Sequence, residues 1–268
     1  MSYFANKVVV VTGGSEGIGK ALVKMLLEKG ARVATCGRTY EKLYELQRLH
    51  AGRPLHIATA DVSKEDDCRN FINSVIKTFG TIDILINNAG VSMRAMFKDV
   101  ELATLQAVMG VNFWGTVYCT KFALQKIVEN KGSIVGVSSV AGFRGLPGRT
   151  GYSASKFAVT GFLEALRTEL LDDEVNVMWV CPGFTTSNIR NVALDKGARP
   201  QKENPMDENK MMSAEECAGL ILEAVEKKKR TQVITFLAHR TLIMNKLFPA
   251  WADRLVKRFY FKDGKLVK

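Results

Sequence analysis

A chain of 268 residues, 47% of them apolar, is large enough for one substantial α/β core or two small ones. Its formal charge of +11 is concentrated: residues 227–268 hold 12 Lys and Arg against 2 Asp and Glu, while the preceding 226 residues hold 26 against 25. That placement argues against a uniformly basic nucleic-acid binder, and the lack of any run of about 18 apolar residues argues against a spanning helix.

In chain order, short β-branched apolar runs alternate with helical patterns. The predicted strands are Val8–Val11, Arg32–Cys36, Leu55–Thr59, Ile82–Ile86, Ser133–Val137, Val175–Val180 and Gln232–Thr235. Predicted helices lie near residues 17–29, 40–50, 64–79, 103–129, 153–171 and 213–228. This alternation predicts an α/β protein whose parallel sheet has helices on both faces and right-handed crossovers. The first strand begins almost at once, so no secretory leader is expected. Cys36, Cys68, Cys119, Cys181 and Cys217 are scattered without metal-ligand spacing, as expected of reduced core thiols in a cytoplasmic protein. His50, His56 and His239 show no metal-site spacing either. Residues 184–212, with Gly197, Pro200, Pro205 and many charges, break the rhythm after a strand's C-terminal end, where a substrate lid would sit.

The first predicted strand enters Thr12-Gly13-Gly14-Ser15-Glu16-Gly17-Ile18-Gly19 and then a helix. Glycines there permit a tight turn and let backbone N–H groups approach a pyrophosphate, which the helix N-terminus favours. The spacing is Gly-x-x-x-Gly-x-Gly rather than GxGxxG, and by itself a plain structural turn would explain it. At the end of the second strand an acid would select NAD through the ribose 2′-hydroxyl. Here Cys36-Gly37-Arg38-Thr39 offers Arg38, whose guanidinium suits a 2′-phosphate, so NADP(H) is preferred. Asp61-Val62 closes the third strand, where a carboxylate meets an adenine amino group, and Asn87-Asn88-Ala89-Gly90 closes the fourth; either is also a plausible plain turn.

Tyr152 and Lys156 are one helical turn apart in Gly151-Tyr-Ser-Ala-Ser-Lys156. A neighbouring ammonium lowers a phenol's pKa from its usual value of about 10, making Tyr152 a proton donor and acceptor near neutrality. Ser139, at the end of the fifth strand, is placed to hold a substrate oxygen; a YxxxK pair alone would be an ordinary surface pair.

Taken in order, the Thr12–Gly19 turn, Asp61, Asn87–Gly90, Asn112, Ser139, Tyr152, Lys156 and Pro182-Gly183 resemble the short-chain dehydrogenase/reductase family over roughly the first 235 positions. The resemblance implies a single Rossmann-type, doubly wound domain (residues 1–236, lid included) followed by an extension at 237–268. It implies that Tyr152 protonates the carbonyl, Ser139 orients it, Lys156 binds the nicotinamide ribose and lowers the tyrosine pKa, and Asn112 holds a relay water. Cofactor contacts are then expected at Gly13, Ser15, Glu16, Gly17, Ile18, Gly19, Arg38, Asp61, Val62, Asn88, Ala89, Gly90, Tyr152, Lys156, Pro182, Gly183, Thr185 and Ser187. Ser187 stands where the family often has a threonine, keeping the hydroxyl and losing a methyl. No metal is needed, and a homodimer or homotetramer joined through helices flanking the site is implied.

In the extension, Met244, Leu247, Phe248, Trp251, Leu255 and Phe259 form one helical stripe, with Lys246, Asp253 and Lys257 opposite and Pro249 starting a second short helix. The stripe suits either packing on the protein itself or a partner, or peripheral contact with an anionic membrane. The function expected is NADPH-dependent reduction of a lipophilic ketone, such as a 3-keto long-chain lipid or sphingoid base. Phe143, Leu146, Phe184 and Ile189 would suit such a substrate. A hydroxysteroid or general carbonyl reductase is the alternative, and a non-catalytic dinucleotide sensor or scaffold is the reading from another class. Nucleic acid is not expected as a partner.

Overall fold

A computed structural model describes residues 2–186, 188–201 and 211–267. Seven parallel strands form the central sheet: β1 (Val8–Thr12), β2 (Arg32–Gly37), β3 (Leu55–Thr59), β4 (Ile84–Asn87), β5 (Ser133–Val137), β6 (Asn176–Cys181) and β7 (Thr231–Val233). They are ordered β3-β2-β1-β4-β5-β6-β7. The alternation of side chains along β1 divides the core. Val9 and Val11 pack with Leu22 and Leu26 of α1 (Gly17–Glu28) and with Ile221 and Val225 of α7 (Ala214–Glu226). Val8 and Val10 pack on the other face with Ile72 and Val75 of α3 (Glu65–Phe79), Ala123 and Ile127 of α5 (Gly115–Glu129) and Leu163 of α6 (Thr150–Glu169). The remaining helix of the first half, α2 (Tyr40–Leu49), tucks Leu46 against the α1 side. A strand buried on both faces needs apolar residues at every position, which is why β1 reads VVVVT. The five cysteines are reduced and buried, and burial raises the Cys36 and Cys181 thiols to about 12.

The helix predicted over 103–129 is not continuous. It comprises α4 (Leu102–Met109), a wider π turn at Gly110–Trp114, and α5. Two constraints act on this turn. The Asn112 amide exchanges hydrogen bonds with Val91, accepting from its N–H at 2.8 Å and donating to its carbonyl at 2.9 Å. A Cβ on Gly115 would sit 3.0 Å from the Val62 carbonyl oxygen. The turn therefore brings the helix close to the loops after β3 and β4, and π turns of this kind recur at functional sites.

After β7 the chain continues as α8 (Phe236–Leu247), α9 (Pro249–Tyr260) and the hairpin β8 (Phe261–Lys262) and β9 (Lys265–Leu266). Thr235 caps α8 by accepting from the Ala238 N–H. Pro249 occupies the first turn of α9, where its missing N–H costs nothing. The extension is tied to the catalytic half. Arg144 donates to Asn245 at 2.7 Å and pairs with Asp253, Asn245 donates to the Phe143 carbonyl, and Arg94 donates to the Leu266 carbonyl. Its buried face is not the predicted stripe. Ala252, Val256 and Tyr260 turn inward, one residue round from Trp251, Leu255 and Phe259. Leu247, Phe248 and Trp251 are each more than half exposed. No helix among the described residues is long and apolar enough to cross a membrane.

Candidate active site

Strand order reverses between β1 and β4, so the helices following these strands leave on opposite faces and a crevice opens at their C-terminal ends. Thr12 ties the two strands together there. Its hydroxyl accepts from the N–H groups of Asn88 and Ala89, both at 3.0 Å, while the Asn88 amide donates to the Thr12 and Gly13 carbonyls. The glycine turn is built on this base. Gly13 and Gly17 have φ of +70° and +52°, and a Cβ on Gly19 would lie 2.2 Å from the Gly13 carbonyl oxygen. The result is a backbone cradle opening at the α1 N-terminus, suited to a diphosphate.

One cleft, about 320 Å³ in volume, runs from this cradle to Tyr152. Along it lie Gly13, Ser15, Glu16, Gly17, Ile18, Gly19, Arg38, Asp61, Val62, Asn88, Ala89, Gly90, Ser139, Tyr152, Lys156, Pro182, Gly183 and Thr185. The structure thus gathers the sequence-predicted residues into one groove, with two exceptions. Ser187 lies outside the described residues. Asn112 is buried behind the groove, where its side chain bonds Val91 and the Ser155 hydroxyl, the latter at 2.9 Å. These bonds anchor the π turn.

At the cofactor end, Arg38 follows β2, is exposed, and forms no ion pair among the described residues, whereas Glu16 pairs with Lys42 at 2.8 Å. Asp61 accepts from both the backbone and the hydroxyl of Ser63, fixing its carboxylate at the rim.

At the catalytic end, Lys156 is 4% exposed and donates to the Val137 carbonyl at 2.8 Å, with its nitrogen 5.8 Å from the Tyr152 ring centre. Gly90 lies beside it: a Cβ there would sit 3.2 Å from the Asn112 amide oxygen, a tight approach, and in ordinary contact with the Lys156 nitrogen at 3.5 Å. Burial draws the Lys156 ammonium down to about 8. The expectation of a lowered tyrosine pKa is overturned. Burial raises the Tyr152 phenol above its usual value, and the Ser139 hydroxyl, then Arg149, only partly offset this. Lys156 exerts little pull because its ammonium faces Val137, and desolvation of a phenolate is the larger effect. Tyr152 is thus held protonated.

The sequence reading missed several groups in the same groove: Ser92, Arg149, Arg190 and, from the far end of the chain, Tyr260. Leu146, Phe184 and Ile189 line it as expected, whereas Phe143 packs into the core beside α6. Phe184 stacks on Phe259 with ring centres 6.4 Å apart, which sets α9 against the substrate end. Only the flanks of the expected lid are described; Leu194 pairs with Met93, and Thr185 with Met212.

Residues 7–197 match the short chain dehydrogenase family. The chain belongs to that family. Among curated relatives of this short-chain dehydrogenase is the mouse dehydrogenase/reductase SDR family member 7B, 33% identical over 98% of this chain and 84% of the relative. Another is 11-beta-hydroxysteroid dehydrogenase A of Arachis hypogaea, 32% identical over 94% of this chain and 76% of the relative. A short-chain dehydrogenase/reductase from Burkholderia phymatum, solved in complex with NAD, shares the fold with a TM-score of 0.81 at 22% identity, covering 95% of this chain and 96% of that one.

The Thr12 knot can be tested directly. Thr12→Val keeps the shape but leaves the Asn88 and Ala89 N–H groups without their acceptor, so urea denaturation should show a loss of about 1–3 kcal/mol. An unchanged midpoint and slope would show that the knot contributes nothing to stability.

Proposed function

We propose that this short-chain dehydrogenase reduces a ketone to a secondary alcohol with NADPH, taking a lipophilic substrate. The observation that carries the reading is the convergence of Ser139, Tyr152 and Lys156 on one groove, with Tyr152 kept protonated by burial. The glycine cradle, the fixed Asp61 carboxylate and the small residues Asn88–Gly90 fit a nicotinamide dinucleotide. When bound, such a cofactor supplies the hydride. The protein's part is orientation and proton delivery: Ser139 holds the carbonyl oxygen, Tyr152 donates its phenolic proton to that oxygen, and Lys156 binds the ribose hydroxyls. The intact proton-donor set speaks against a pure sensor or scaffold. The hydroxysteroid dehydrogenase among the relatives keeps a steroid ketone as the second reading.

The exposed Arg38, with no acid at the end of β2, supports NADP(H) over NAD(H). The exposed apolar face of α8 and α9 (Leu237, Ile243, Leu247, Phe248 and Trp251), within a segment carrying 12 basic and 2 acidic residues, supports peripheral contact with an anionic membrane. A substrate partitioned into lipid would then lie close to the groove.

The first experiment is NADPH oxidation across small diketones, steroids and long-chain 3-keto lipids. Turnover should fall about 10²–10⁴-fold in Tyr152→Phe. Its kcat/KM for reduction should decline as pH rises through about 8, because Lys156 is charged below that value and neutral above it. Reduction that persists without the phenol would overturn the proton-donor role, and NADPH binding without any turnover would favour the sensor reading. Arg38→Asp should shift the NADPH-to-NADH preference in kcat/KM by about tenfold or more towards NADH, through loss of a guanidinium–phosphate contact and added repulsion; an unchanged ratio would rule out Arg38 as the phosphate clamp. In flotation assays the full chain should bind phosphatidylserine vesicles and not phosphatidylcholine vesicles, and Phe248→Glu with Trp251→Glu should abolish binding. Equal behaviour on both vesicles, or no effect of the pair, would exclude the membrane face.

A further inference from the structure

Beyond the proton-donor set, the substrate end of the groove has a strong charge bias. Among the described residues, the acidic ones lining the cleft, Glu16 and Asp61, both lie at the cofactor end, and Glu16 is already paired with Lys42. At the other end are Lys156, Arg190 and Arg149. Arg190 is buried and donates to the Thr185 carbonyl at 2.8 Å. Arg149 differs from the neighbouring arginines. Arg144 has Asp253 and Asn245 as partners, whereas Arg149 donates to the Ser92 hydroxyl at 3.1 Å and forms no ion pair among the described residues. A guanidinium has five N–H donors in a planar fork, so one hydroxyl leaves most of that capacity unused.

Tyr260 stands in the same part of the groove. The last residue of α9, it is only 4% exposed, lines the cleft, and its hydroxyl has no hydrogen-bond partner among the described residues. Arg149, Tyr152 and Tyr260 all line the same cleft. The backbone of Tyr260 is fixed by the N–H of Val267, and the hairpin beyond it is fixed by Arg94 and by Leu266 against Gly148, so the phenol is held in place. A phenol and a guanidinium that line one cavity, neither paired with a carboxylate among the described residues, leave donor capacity there for an anionic ligand.

We propose that Arg149 and Tyr260 form an anion-recognising subsite beside Tyr152, so that the ketone reduced here carries a carboxylate or phosphate group a few bonds from its carbonyl. The proposal rests on the reductase reading and narrows its substrate class: an amphipathic ketone with its anionic group on Arg149 and its apolar part along Leu146, Phe184 and Ile189. The cofactor's own phosphates do not meet this need, because the glycine cradle that suits them is at the opposite end of the cleft, beyond Gly90. Arg149 and Tyr260 are specificity residues here, and Tyr152 remains the proton donor.

The test is calorimetric titration of the full chain, with saturating NADP⁺, using octanoate, octyl phosphate and octanol, which share one tail. At least one anion should bind about tenfold or more tighter than octanol, as expected for a hydrogen bond to a charged group, and the tighter anion identifies the headgroup. The discrimination should vanish in Arg149→Gln, persist in Arg149→Lys, and weaken about threefold or more in Tyr260→Phe, which removes one hydrogen bond. Octanol binding as tightly as both anions, or discrimination that survives Arg149→Gln, would overturn the subsite. Thermal melts of each variant separate loss of fold from loss of binding, and Arg149→Lys reports on charge even if Arg149→Gln unfolds. Failure of the reductase reading gives a different result: anion discrimination stays intact while no ketone is turned over.

Discussion

The structure depends first on how β1 and β4 are joined. A parallel sheet whose strand order reverses must open at the reversal, because the following helices leave on opposite faces. That opening exposes backbone groups at the C-terminal ends of two central strands, and the Thr12 hydroxyl satisfies two of them by accepting from Asn88 and Ala89. The Asn88 amide returns the bonds to the glycine turn. One small polar residue thereby fixes the floor of the cradle and the start of the loop towards Gly90.

Burial then decides the chemistry of the catalytic end. Tyr152 and Lys156 share a helix face, and spacing alone suggests a phenol acidified by an adjacent ammonium. In the folded protein both groups are desolvated, and each is driven towards its neutral form: the phenol upward, the ammonium down to about 8. The Val137 carbonyl holds the ammonium away from the ring edge. Such a site keeps the phenol in its protonated form.

The C-terminal extension works on two surfaces at once. One row of α9, Ala252, Val256 and Tyr260, packs inward and carries a phenol into the groove; the adjacent row, led by Trp251, faces solvent beside a dense set of lysines and arginines. Any ligand or surface that engages the outer row is separated by a single helix diameter from the wall of the substrate site. Phe259 joins the two surfaces by stacking on Phe184.

Sequence alone was sufficient for the layered α/β architecture, since a two-face-buried parallel strand has to be apolar at every position and a helix has to show a 3.6-residue period. It was sufficient, too, for much of the groove's lining, including the glycine turn at Gly13–Gly19 and the Asn88–Gly90 loop, whose small residues mark close approach of the backbone. The last hairpin was not foreseen, although Asp263-Gly264, both with positive φ, is a turn signal. Tertiary structure decided everything that hangs on which groups lose water together. It turned Asn112 into an anchor for a π turn, reversed the expected shift of Tyr152, rotated the buried face of α9 by one residue, and brought Arg149 and Tyr260, more than a hundred positions apart, into one cavity. Local spacing specifies what a few neighbouring residues can do, whereas desolvation and pairing depend on contacts between segments whose separation along the chain carries no trace of their meeting.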